Sequence, residues 1–125
     1  MNNTKEIINE IETENFIWII YLLIIGLSFV ANSFEKDYYV NNNLESKDTY
    51  RMINIFIFSV ALIIYLYFFK GNFEVINELS EFDSYEKKIF NELNYIASAL
   101  IVIAGVIFLY IAIYDKNLDT EIAFN

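Results

Sequence analysis

Charged residues are absent from three stretches of the chain, 15–34, 52–69 and 93–114, and they crowd into the segments between. The third stretch reads LNYIASALIVIAGVIFLYIAIY, bounded by Glu92 and Asp115. At about 1.5 Å of rise per residue, a helix of that length crosses a hydrocarbon layer of about 30 Å. All 8 basic and 17 acidic side chains lie outside the three stretches. An ionised group at mid-bilayer costs about 2.5–3.5 kcal/mol, so this segregation is what spanning helices require. The pattern predicts an all-α integral membrane protein with three transmembrane helices, over about 16–34, 52–69 and 93–114. They form a single three-span membrane domain covering residues 1–125.

The segments around these runs have patterns of their own. Residues 4–14 read as an amphipathic helix leading into the first span, with Ile7, Ile8 and Ile11 on one face and a column of Glu6, Glu10 and Glu14. In the first span, Trp18 and Tyr21 near one boundary and Phe34, Tyr38 and Tyr39 near the other resemble an aromatic belt. Asn15, Leu22, Phe29, Gly26 and Ser33 recur at intervals of seven and predict its packing seam. The Asn41-Asn42-Asn43 triplet predicts the turn of the first connection, 35–51, after which Asp48 or Thr49 is positioned to cap the next helix. In the second span Asn54 and Ser59 fall on nearly opposite faces, so they do not build one site. Lys70-Gly71-Asn72 reads as that span's end.

Between the second and third spans, a single helix would put Asp83 and Glu86 on an apolar face. Breaking it at Asp83 removes the conflict. The expectation is a short amphipathic interfacial helix over about 73–81, then a helix that starts near residue 84 and continues into the third span. Asp83 is its expected N-cap and Glu86 the capping-box partner three residues on. The carboxylates Glu74, Glu78, Glu81, Asp83 and Glu86 have no calcium-loop spacing and read as a solvated face plus that cap. Asn117 is expected to close the third helix.

The third span is patterned beyond hydrophobicity. At about 100° per residue, Asn94, Ala97, Ser98, Ala104, Gly105 and Ala112 fall within one arc. Ile96, Leu100, Ile103, Ile107, Tyr110 and Tyr114 fill the opposite one. Lipid tails give helices no hydrophobic reason to associate, so small residues that allow close backbone approach mark the helix-packing face.

Composition narrows the function. With no Cys and no His, the usual ligands of zinc, haem and iron–sulfur clusters are missing, and no cofactor is expected. A net charge of −9 disfavours nucleic acid and anionic headgroups as partners. No Asp, Glu, Lys or Arg lies inside a span to serve a proton relay or ion-coupled transport. The four glutamates of residues 6–14 are wrong for a signal-peptide n-region, which favours a retained first span. Over the whole chain the basic residues tie, Lys5, Lys70, Lys87 and Lys88 on one side against Lys36, Lys47, Arg51 and Lys116 on the other; around the first span alone, one against three favours the N-terminus outside and the C-terminus inside, in the cell membrane.

The expected role is non-enzymatic: an accessory, assembly or interaction subunit. Its expected partners are membrane lipid and a protein partner or second copy meeting the third span. A holin- or toxin-like pore-former is the first alternative. An interfacial lipid-binding protein or enzyme using Glu86 or Glu92 is the second.

Overall fold

The computed structural model describes residues 2–122. Three helices account for most of them: α1 (Asn2–Asn41), α2 (Leu44–Glu78) and α3 (Tyr85–Tyr114). There is no strand among the described residues. Each helix is long and apolar enough to cross a membrane. At about 1.5 Å per residue they measure about 60, 52 and 45 Å, so each outruns its charge-free stretch. No proline interrupts them.

The chain forms two compact units, Met1–Ile57 and Phe58–Asn125, with α2 continuous through the boundary. The first unit holds α1 and the opening of α2. Only Asn42 and Asn43 are non-helical between them. Asn42 takes the left-handed conformation, φ 53°, that the helix needs in order to stop and reverse. Asn43 then starts α2, its Oδ1 accepting hydrogen bonds from the backbone N–H groups of Glu45 (3.1 Å) and Ser46 (3.3 Å). The turn falls within the expected Asn41-Asn42-Asn43 triplet, but α2 starts directly after it at Leu44, so Asp48 and Thr49, the expected caps, sit inside the helix. Most of the 35–51 connection is therefore helix that extends beyond the apolar runs.

The least exposed positions of α1 include Ile17, Tyr21, Ile24, Ser28 and Ala31, three and four residues apart. The seam expected from Asn15, Leu22, Gly26, Phe29 and Ser33 is on the wrong side, since all five are exposed. The sevenfold spacing is common to both sides. Side-chain size does not separate them: Gly26 and Ser33 are exposed, whereas the bulky Ile17 is covered along with Ala31.

The second unit is an antiparallel pair made by the rest of α2 with α3. Here the expected interfacial helix over 73–81 does not exist. α2 runs through Gly71 without a break and ends at Glu78. Glycine weakens a helix interior by about 1 kcal/mol relative to alanine. That cost is offset by contacts just beyond it: Phe73 lies against Tyr95 (ring centroids 6.1 Å apart), and Asn72 Oδ1 accepts a hydrogen bond from Asn94 Nδ2 at 3.0 Å. The real break is a turn over Ser80–Asp83, closed by Asp83 N–H to Ser80 C=O at 3.0 Å.

The N-cap of α3 falls one residue later than expected. Ser84 is the N-cap, with extended backbone (φ −62°, ψ 153°) and a hydroxyl that accepts from the Lys87 N–H. Asp83 instead closes the preceding turn, accepting from the Ser80 N–H at 2.7 Å and pairing with Lys87 Nζ at 3.1 Å. Glu86 consequently falls at the second helical position, where it suits the helix dipole without making a capping box. The Ser80 N–H and then Lys87 hold the Asp83 carboxyl below its ordinary pKa. At the far end Asp115, not Asn117, is the C-cap: its N–H reaches Ile111 C=O, and its carboxylate accepts from the Asp119 and Thr120 N–H groups.

Candidate helix-packing site

Within the second unit, aromatic and aliphatic side chains of α2 meet α3 along its length. Phe58 lies against Phe108 (5.8 Å between centroids), and Phe69 stacks on Tyr95 at 5.2 Å. Between these contacts, Gly105 of α3 sits under Leu62 and Tyr65. A Cβ added at Gly105 would stand 3.0 Å from Cδ2 of Tyr65 and 3.2 Å from Cδ1 of Leu62. Gly26 and Gly71 have nothing within 4 Å of the same point, so Gly105 is the glycine whose missing side chain is used.

Ser98, Gly105 and Ala112 are the buried residues of α3. Ser98 turns its hydroxyl back to Tyr95 C=O at 2.8 Å, which satisfies the group within its own helix. The other residues of the small-residue arc are placed differently. Ala104 is half-buried, and Ala97 is exposed. Asn94 is exposed as well and engaged with Asn72 across the helix pair. The arc therefore divides into a covered line at sevenfold spacing and an open flank. Side-chain volume does not separate the two, because alanines occur in both.

A second polar feature, in the first unit, was not apparent from residue type. Asp37 of α1 gathers the corner: its carboxylate accepts from Asn41 Nδ2 (2.6 Å), Asn43 Nδ2 (2.9 Å) and the Ser46 hydroxyl. Lys47 Nζ lies 5.2 Å from the centre of the Tyr38 ring nearby. The signal was the spacing Asp37, Asn41, Ser46, which becomes meaningful only once the turn is fixed at 42–43.

Ser46, then Asn41 and Asn43, hold the Asp37 carboxyl below its ordinary value of 3.8. A carboxylate whose folded pKa is depressed stabilises the fold fully above its unfolded value, and this contribution is lost as pH falls through the folded one. Thermal unfolding in detergent should therefore show the corner's contribution fading as pH drops below 3.8. Asp37→Asn should flatten that acid limb while leaving the slope near about pH 6 unchanged. An identical acid limb in the variant would show that Asp37 does not hold the corner.

Asn54 of α2 is 4% exposed, and its Oδ1 has no hydrogen-bond partner among the described residues. Among those residues, no group of three or more Asp or Glu is arranged to hold a metal ion. The geometry on view serves helix association. Comparison with protein-family models, curated proteins and solved structures found no match.

Proposed function

We propose that the chain is a three-span integral membrane protein acting as a non-enzymatic accessory or assembly subunit. The observation that carries this reading is the outward character of the helices. Leu22, Phe29, Ile63, Leu100, Ile103 and Tyr110 are all exposed, within runs that contain no charge. Such a molecule offers a membrane lipid-facing and partner-facing surface. Asp37, Asp83, Ser84 and Asp115 are spent on the chain's own corner and helix ends.

In this reading the spans are 16–34, 52–69 and 93–114, set in the cell membrane with the N-terminus outside. The third span meets a partner, or a second copy, through the open flank at Ala97 and Ala104, because Leu62 and Tyr65 already occupy the Gly105 position. Crosslinking in native membranes followed by purification in mild detergent should recover a stoichiometric partner or a defined oligomer. A stable lone monomer at every crosslinker length would overturn the assembly role.

A further inference from the structure

The segment of α1 before its charge-free run is helix that nothing among the described residues covers. Every residue from 3 to 16 is exposed. A helix of this length is marginal in water by itself, so its order comes from continuity with the span that follows. Its exposed face is not uniformly polar. Ile7, Ile8 and Ile11, each about half exposed, lie within an arc of about 100°. Glu6, Glu10 and Glu14 form a column along one edge of that arc, and Glu12, with Lys5 beside it in projection, lies beyond the other edge. None of these four carboxylates takes part in an ion pair or hydrogen bond among the described residues.

An apolar strip edged by a column of carboxylates restricts what can cover it. A second copy would bring the same net-negative segment, four glutamates with Lys5 as the one cation, against this one. An anionic bilayer surface is repelled in the same way. What matches the strip is an apolar face bordered by cations. We infer that residues 4–14 dock a basic amphipathic helix of a partner protein, laying its apolar side on Ile7, Ile8 and Ile11 and its cations beside Glu6, Glu10 and Glu14. This rests on the assembly reading above and adds the chemistry of the partner. It holds for whichever side of the membrane carries the start of α1.

The test uses the full chain in uncharged phosphatidylcholine nanodiscs and a fluorescent amphipathic Leu/Lys helical peptide as the probe. Binding should be saturable and should weaken with salt. Exposed charge pairs are individually weak, so Glu6→Gln, Glu10→Gln and Glu14→Gln together should lower affinity about tenfold. Ile7→Ser with Ile11→Ser should do likewise, while Glu74→Gln, Glu78→Gln and Glu81→Gln, an equal change of charge elsewhere, should leave binding as it was. Circular dichroism of each variant checks that the helix persists.

Equal loss from the second glutamate set would reduce the effect to bulk charge and overturn the proposal, as would indifference to the isoleucine changes. A label at Ile8→Cys that crosslinks to another copy, or that reports lipid surroundings, would give the face to a second chain or to the membrane and also overturn it. The assembly reading fails separately. A native partner crosslinked only through α3 would leave that reading standing and remove this docking face, whereas a lone monomer in native membranes would remove the reading itself.

Discussion

An aspartate at Ile103 should keep α3 out of the bilayer. Ile103 lies near the middle of the third charge-free run and is 56% exposed, on the arc away from Gly105. A centred charge costs about 2.5–3.5 kcal/mol on insertion, which moves a two-state insertion equilibrium by about a hundredfold. Protease protection or glycosylation-site mapping of the segment after residue 114 should show it shifted to the side that holds residues 70–92. Ile103→Leu should leave the topology untouched. If the aspartate variant crosses as efficiently as the parent, α3 is not a lipid-facing span and the three-span reading falls.

The second large effect is expected at Gly105. Leucine there must displace Tyr65 and Leu62, whose ring and methyl carbons already stand at 3.0 and 3.2 Å from where the first added carbon would go. Overpacking of this kind costs about 1–3 kcal/mol. Alanine is a milder case, because the near atoms are the outer parts of two side chains that can swing by a few tenths of an ångström. The expected order of stability, read from unfolding in mixed micelles, is parent, then Gly105→Ala, then Gly105→Leu. Gly71→Ala provides the control: the added methyl meets nothing within 4 Å, and the helix gains from losing a glycine. A Gly105→Leu protein as stable as the Gly71→Ala one would mean that α2 and α3 do not pack at this point.

Charge segregation made the three long helices legible, since a run without charge is a property of single residues. Helix ends were less so. Gly71 and Asp83 each carry a genuine local signal for ending or starting a helix, and at each a neighbour decides otherwise. The contacts of Asn72 and Phe73 with α3 carry α2 past Gly71. The hydroxyl of Ser84 takes the cap while the Asp83 carboxylate is used by Ser80. Local propensity is worth about a kilocalorie per residue, and contacts of that size from 20 or so residues away outweigh it. The same holds for faces. Both sides of α1 repeat at seven, and which one packs depends on the shape of what it meets. The corner around Asp37 lay outside sequence reasoning because two of its three partners, Asn43 and Ser46, come within reach only after Asn42 reverses the chain.

The continuity of α1 has a mechanical consequence. Residues 2–15 and the apolar run after them are one rod with no hinge between: no proline, no positive φ, and a single glycine well inside the run. The outer part is a lever arm of about 20 Å. With residues 16–34 spanning a membrane, as proposed above, a sideways force on Ile7 or Ile11 would not be absorbed at its surface and would show as a change of tilt of that segment. The Asp37 corner at the other end would carry part of that rotation into the first turns of α2.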